Sequence, residues 1–141
     1  LDIGVYWQWV QHTLVQAEYW HDPLNEKLYR QHSFFLADIN NENGINEQFK
    51  ARLQTLEKFV LVKFLNDSFV QPPDSSWFAF YKPGQDKIVL PLRESDVYLQ
   101  DRLGLQELDK QGKLQFLATP GEHLQFTLQW FIDNIVPFLK Q

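Results

Sequence analysis

The segment Phe59–Leu65 restricts the possible folds of this chain more than any other. It is an almost continuous apolar run, rich in β-branched and aromatic residues and interrupted only by Lys63. A strand with one face in water alternates apolar and polar side chains, whereas a strand covered on both faces is apolar throughout. The segment is therefore predicted to be a strand covered on both faces, as in parallel sheets.

The chain after this strand alternates between predicted strands and helices. Trp77–Tyr81 and Lys87–Leu90 flank the turn-forming stretch Lys82–Asp86, which predicts a hairpin-like excursion. A short helix is predicted at Asp101–Gln111, with Gly112 placed to end it.

The end of the chain continues this alternation. Leu114–Ala118 is predicted to be a second short strand, and Thr119–His123 the loop that follows it. A last helix is expected to turn an apolar stripe toward a core and to be distorted or ended by Pro137. That stripe consists of Leu124, Leu128, Phe131, Ile132 and Ile135.

The first part of the chain is predicted to be mostly helical. Residues 5–20 carry apolar side chains at roughly helical spacing and are expected to form one helix. Residues 21–43 are expected to be irregular, because turn-forming and polar residues recur there. Asn46 is predicted to cap a further helix. The apolar stripe of that helix is Phe49, Leu53 and Leu56.

Alternating strands and helices predict an α/β fold, in which active residues lie at the carboxyl ends of strands. Asp67 and His123 each come just after the end of a predicted strand. In α/β-hydrolases the acid and the base follow the nucleophile in this order, on loops after late strands. We therefore expect the carboxylate of Asp67 to lie within hydrogen-bond distance of a ring nitrogen of His123.

Three other carboxylates compete with Asp67 for the role of the acid. They are Asp74, Asp96 and Asp101. Asp67 is preferred because it alone directly ends a strand of the buried type. Asp101 is instead expected to form a structural ion pair with Arg102.

Charge and composition exclude several classes of partner. The formal net charge is −5 and no stretch concentrates Lys or Arg, so no nucleic-acid partner is expected. No apolar run approaches the ~20 residues needed to span a bilayer. The chain has no Cys and its four His show no ligand spacing, so neither a metal site nor a disulfide is expected.

Because Met is absent from the sequence, we expect a processed product or a partial chain, without a signal peptide at residue 1.

Five segments resemble the palmitoyl-protein thioesterases, type 1 in particular, in one continuous register. These segments are Leu14–Pro23, Phe35–Asn40, Val62–Ser68, Gln100–Leu105 and Phe116–Leu139. The resemblance implies the C-terminal part of an α/β-hydrolase with part of a helical insertion. Residues 1–56 would belong to the insertion that helps to form an acyl groove, and residues 57–141 to the hydrolase core.

The same resemblance implies an enzyme that removes thioester-linked fatty acyl groups from cysteines of S-acylated proteins. Asp67 and His123 align with the catalytic acid and base, whereas the sequence contains no G-x-S-x-G segment for the nucleophile. The serine is therefore expected in an N-terminal half of the same enzyme, before residue 1, and this chain alone is expected to be inactive. The resemblance implies no cofactor. It implies a lysosomal location, with secretion as a second destination.

Further site residues are expected around the triad acid. Phe69 and Val70 lie just after Asp67 and, with Trp20, are the candidates for the acyl groove. Asn66 begins the N-glycosylation sequon Asn66–Ser68.

Two alternatives to a protein thioesterase stay open at the level of the sequence. One is a non-enzymatic fragment or interaction module, and the other is a thioesterase acting on acyl-CoA. We also expect the second half of the chain to expose a large apolar patch, because two strands make only part of a sheet.

Overall fold

The computed structural model describes residues 3–140. The α-helices are α1 Gln8–Thr13, α2 Val15–Glu18, α3 Glu26–His32, α4 Leu36–Ile39, α5 Glu47–Gln54, α6 Asp96–Leu99, α7 Leu105–Lys110, α8 Leu128–Asn134 and α9 Val136–Leu139. The strands are β1 Phe59–Phe64, β2 Phe80–Tyr81, β3 Val89–Leu90 and β4 Leu114–Thr119. Short 3-10 helices lie at Ile3–Tyr6, Pro73–Trp77 and Leu92–Glu94.

The two predicted long strands form the central sheet. Strand β1 pairs with β4 in parallel, in a register that runs from Phe59 beside Leu114 to Phe64 beside Thr119. This parallel pair between helices confirms the α/β class. Both faces of β1 are partly covered within the described residues, because Leu61 is buried and the other five residues of the strand are half-buried. In a sheet of two strands, the outer edge of β1 has no strand beside it in this part of the chain.

A hydrophobic core forms where α7 and the start of β4 meet. Its buried members are Leu92, Leu103, Leu105, Leu108 and Leu114, and Leu53 of α5 and Phe59 of β1 pack against them. The core therefore holds α7 on the sheet and fixes where β4 begins.

Helix α7 is shorter than the predicted helix Asp101–Gln111. Asp101 and Gly104 have φ values of 47° and 81°, in the left-handed region that an α-helix excludes, so α7 begins at Leu105. The expected end is confirmed, because Gly112 has a φ of 67° just after the last turn.

The predicted hairpin is present but its strands are shorter than expected. Strands β2 and β3 pair antiparallel through Phe80 with Leu90 and Tyr81 with Val89. The expected start at Trp77 is wrong, because Pro73–Trp77 is a 3-10 helix that ends in a left-handed Phe78. The Trp77 indole N–H lies 3.2 Å from the Leu61 carbonyl oxygen and 3.1 Å from that of Leu117, so this turn is tied to both central strands.

The first part of the chain differs most from its prediction. The single helix expected over residues 5–20 is interrupted at Leu14, which is extended with φ −112° and ψ 104°. Residues 21–43 are not irregular, because they contain α3 and α4. Asn46 caps α5 as predicted, yet no residue of α5 is buried, so the expected stripe is only partly covered.

Several contacts join residues 3–56 to the rest of the chain. The side-chain amide of Asn41 donates to the Arg102 carbonyl oxygen at 2.8 Å, and Gly84 N–H donates to the Pro23 carbonyl oxygen at 2.7 Å. Arg102 pairs with Glu42, and Asp101 lies 3.4 Å from the Lys50 ammonium. The expected ion pair between Asp101 and Arg102 is therefore wrong, since each finds a partner in the first part.

The last predicted helix is divided and does not face a core in this chain. Helix α8 ends near Ile135, just before Pro137, because a proline ring inside a continuous helix would clash with the carbonyl group four residues earlier. Leu124 lies outside the helix with a φ of 58°, and no residue of α8 or α9 is buried. Large apolar side chains of the second half are exposed, and they include Leu124 and Leu128.

Candidate active site

The loops after β1 and β4 lie side by side at one edge of the central sheet. Because the strands are parallel, their carboxyl ends meet there. Leu65 N–H donates to the Thr119 carbonyl oxygen at 3.0 Å, and Asn66 N–H donates to the Gly121 carbonyl oxygen at 3.1 Å. These backbone hydrogen bonds extend the strand pairing into the two loops that carry Asp67 and His123.

The hydrogen bond expected between Asp67 and His123 is present. His123 Nδ1 lies 2.8 Å from Asp67 Oδ2. The other oxygen of Asp67 accepts the N–H groups of Phe69 at 2.9 Å and Val70 at 3.0 Å. Only 3% of the Asp67 side chain is accessible, compared with 36% for His123. The carboxylate is thus enclosed by its partners, whereas the imidazole keeps an open side toward solvent.

The state of the Asp67 carboxyl follows from these contacts. Burial alone would raise its pKa, but the hydrogen bonds from His123 and from the N–H groups of Val70 and Phe69 outweigh burial and lower the pKa below its ordinary value. Asp67 is therefore an anion in near-neutral and mildly acidic water, and an anion can only accept hydrogen bonds. His123 Nδ1 must carry the proton, which leaves Nε2 free to take another.

A second contact joins the two loops. Ser68 follows Asp67, and Glu122 precedes His123. The Ser68 hydroxyl donates to Glu122 Oε2 at 2.8 Å, and Ser68 N–H donates to the same oxygen at 3.2 Å. The sequence analysis did not single out this pair. Adjacency to Asp67 and His123 was the only available signal, and it does not indicate which neighbouring side chains meet.

The approach of His123 to Asp67 requires a glycine in the loop. Gly121 has a φ of 128°, and a Cβ there would lie 2.7 Å from the carbonyl oxygen of Gln125. A side chain at this position would collide with backbone two residues beyond His123. The tight turn that carries the imidazole therefore depends on Gly121.

Two of the three groove candidates lie beside the pair. The ring of Phe69 is 80% exposed and its centroid is 5.7 Å from that of His123, while Val70 is partly buried. Within residues 3–140, neither a hydrogen bond nor a ring contact joins Trp20 to Asp67 or His123.

The competing carboxylates have other surroundings. Asp74 binds the Lys63 ammonium at 2.8 Å, Asp101 faces Lys50, and Asp96 is exposed at the start of α6. His21 also meets a carboxylate, with Nε2 at 2.8 Å from Glu26. Its ring is stacked between Tyr29 and Phe80, so both of its faces are covered, as expected for a structural residue.

The remaining surface of the chain carries an exposed sequon and an open cavity. Asn66 is exposed next to the pair. A cavity of about 680 Å3 lies elsewhere, lined by residues that include Trp77, Arg93 and Phe116 but neither Asp67 nor His123.

Among residues 3–140, no cluster of three or more His, Cys, Asp or Glu side chains is arranged to hold a metal ion. No helix in the same range is long and apolar enough to cross a membrane.

Comparison with known proteins agrees with the resemblance seen in the sequence. The family described as palmitoyl protein thioesterase matches residues 1–123, which end at His123. The chain belongs to this family. An α/β-hydrolase fold is what membership implies, and the mixed helices and parallel strands described above are consistent with it.

Individual members of the family match most of the chain. Palmitoyl-protein thioesterase 1 of Caenorhabditis elegans is 46% identical over 96% of this chain and 46% of its own length. Palmitoyl-protein thioesterase 3 of Dictyostelium discoideum is 36% identical over 93% of this chain and 47% of its own length. The lysosomal thioesterase PPT2 homolog of Drosophila melanogaster is 34% identical over 80% of this chain and 39% of its own length. The chain spans about half the length of the Caenorhabditis and Dictyostelium relatives.

Proposed function

We propose that the complete protein hydrolyses the thioester that links a palmitoyl or other fatty acyl group to a cysteine of an S-acylated protein. Asp67 and His123 are the acid and base of a Ser-Asp-His triad whose serine lies before residue 1. The observation that carries the proposal is the 2.8 Å hydrogen bond between these two side chains in a member of the palmitoyl-protein thioesterase family.

The geometry supports a role for each residue. His123 Nε2 takes the proton of the serine hydroxyl as the serine oxygen attacks the thioester carbonyl. The same proton then goes to the sulfur as the C–S bond breaks, and water releases the acyl group in a second, equivalent step. Asp67 holds the tautomer with the proton on Nδ1 and stabilises the imidazolium. Because a thiolate leaves readily, the base step matters more than the acid step.

The acyl chain lies, in this proposal, against Phe69, Val70 and Trp20. The support is that Phe69 is exposed beside the imidazole and that Val70 ends the turn held by Asp67. Residues 3–56 contain helices and no strand, in keeping with a helical insertion, while the strands all lie beyond residue 57. Residues 1–56 are thus proposed as part of the acyl-groove insertion and residues 57–141 as part of the hydrolase core.

We further propose that the protein acts in the lysosome and carries a glycan on Asn66. The first point rests on relatives named as lysosomal thioesterases. The second rests on an exposed sequon. The partners of this chain are then S-acylated proteins or peptides and the N-terminal half of the same enzyme.

The catalytic pair is tested by substitution in the complete protein. Asp67→Asn and His123→Ala should each lower the release of palmitate from an S-palmitoylated peptide by about 10^3-fold or more, because removing a triad member costs this much in related sites. Asp96→Asn and His32→Ala, which remove exposed groups of the same kinds, are the matched controls. A folded His123→Ala variant with full activity would contradict the assignment.

The substrate class is tested by comparing kcat/KM on an S-palmitoylated peptide and on palmitoyl-CoA. A protein thioesterase should prefer the peptide. A preference for palmitoyl-CoA would favour the alternative thioesterase, and no hydrolysis of either would favour a non-enzymatic module.

A further inference from the structure

The contact between Ser68 and Glu122 has no part in the chemistry described above. We propose that these two residues are positioning residues, which clamp the loop of His123 against the loop of Asp67. This inference rests on the proposed function, because it assigns the clamp to the same catalytic pair.

The clamp occupies the positions next to both members of the pair. Ser68 is the residue after Asp67, and Glu122 is the residue before His123. One carboxylate oxygen, Glu122 Oε2, accepts both the hydroxyl and the N–H of Ser68, at 2.8 and 3.2 Å. Hydrogen bonds to an ionised acceptor are shorter and stronger than neutral ones, so this oxygen fixes the backbone and the side chain of Ser68 together.

The backbone contacts between the two loops end before His123, so side chains alone hold this residue against the Asp67 loop. The backbone bond from Asn66 to Gly121 ends the regular strand pairing two residues before the imidazole. Gly121 then adopts a φ of 128°, and Leu124 on the other side of His123 has a φ of 58°. The His123 loop therefore leaves the sheet in an irregular backbone, which the Glu122 side chain ties back to the Asp67 loop.

The clamp acts on geometry more than on stability. Ser68 is exposed and Glu122 is partly exposed, so water competes for the same groups and the net contribution of these bonds to folding is small. Catalysis is more sensitive, because a misplacement of about 1 Å at a reacting group can cost about 100-fold in rate. Loss of the clamp should therefore lower kcat and leave KM nearly unchanged.

The test uses the complete protein and a substrate of the proposed class, an S-palmitoylated peptide. Ser68→Ala also destroys the sequon that begins at Asn66, so every variant is made in an Asn66→Gln background to hold glycosylation constant. Ser68→Ala and Glu122→Ala should each lower kcat about tenfold. This is less than the loss of about 100-fold that a misplacement of about 1 Å can cause, because the hydrogen bond to Asp67 still holds His123. Ser68→Thr keeps the hydroxyl and should therefore retain the kcat of the Asn66→Gln background. Glu107→Ala removes an exposed carboxylate that also accepts one side-chain hydrogen bond, and serves as the control.

A double-mutant cycle distinguishes a clamp from two separate effects. If Ser68 and Glu122 act as one contact, the double alanine variant should be no slower than either single variant. Multiplication of the two losses would overturn the proposal. If Glu122→Ala fails to fold, Glu122→Met takes its place, because it approximates the side-chain volume and has no acceptor oxygen.

The failure of the clamp and the failure of the proposed function give different results. Unchanged kcat in folded Ser68→Ala and Glu122→Ala, with activity abolished in Asp67→Asn and His123→Ala, would refute the clamp alone. Full activity in all four variants would refute the catalytic pair and the clamp with it.

Discussion

The carboxylate of Asp67 receives three hydrogen bonds, from His123, Phe69 and Val70, and these bonds determine how the residue responds to acid. They hold its folded-state pKa below the ordinary value of 3.8 against the effect of burial. A carboxyl with a lowered folded-state pKa stabilises the fold at every pH above its unfolded-state pKa. That stabilisation is lost as the pH falls through the folded-state value.

The first prediction is that Asp67→Asn flattens the acid limb of the stability curve. Urea unfolding of the complete protein is measured from about pH 6 down to about pH 3. The free energy of unfolding of the original protein should exceed that of the variant most at the upper end. The difference should shrink below about pH 4, where Asp67 becomes protonated in the unfolded chain, and should disappear only below its lowered folded-state pKa. Asp96→Asn, which removes an exposed carboxylate, is the control. Parallel curves for the original protein and Asp67→Asn would contradict this account.

At the scale of single elements, the two long strands β1 and β4 were predicted well and the short helices were not. An apolar run that ends at a turn predicts strand β1, and a similar apolar run predicts strand β4. Helices α2, α4 and α6 have four residues each, close to a single turn, so they are too short to display a helical period. Their positions depend on packing against other elements, which the spacing of residues within four positions does not show.

The candidate site, too, was predictable from the sequence only in part. The meeting of Asp67 and His123 follows from two parallel strands whose carboxyl ends share an edge, and this could be predicted from sequence. The Ser68–Glu122 contact depends on the backbone of Gly121 and on two side-chain rotamers, which no pattern of residue types encodes. The same is true of Leu14, whose extended backbone interrupts an otherwise helical spacing.

The cap of α5 gives the second prediction. The Asn46 side-chain oxygen accepts the N–H groups of Gln48 at 3.1 Å and Phe49 at 3.2 Å. Asn46→Ala should lower the free energy of unfolding by about 1 kcal/mol, because it leaves these N–H groups without their acceptor. Asn46→Asp keeps the acceptor and should retain most of the stability. The measurement is the urea midpoint of the complete protein, and an equal loss in both variants would show that the cap is not the cause.

At the scale of the whole molecule, the second half of the chain exposes several large apolar side chains. Phe69 is 80% exposed, Leu128 73% and Leu139 69%, and Leu65, Leu124 and Phe126 add to the same half. The central sheet has two strands, so one edge of each is unpaired. Both features fit a chain that folds against further segments of the same protein.

The last prediction is that Leu128→Asn acts in opposite directions in two contexts. In isolated residues 1–141, Leu128 meets water, so the substitution should weaken self-association, which is measured by light scattering after size-exclusion chromatography. In the complete protein, α8 is expected to pack against segments outside this chain, so the same change should cost about 2 kcal/mol or more, as the loss of a buried leucine does. Glu107→Ala, at an exposed position on α7, should change neither property. A monomeric isolated chain with a cooperative transition, unaffected by Leu128→Asn, would mean that the exposed face needs no cover, and the proposed N-terminal half would lose this support.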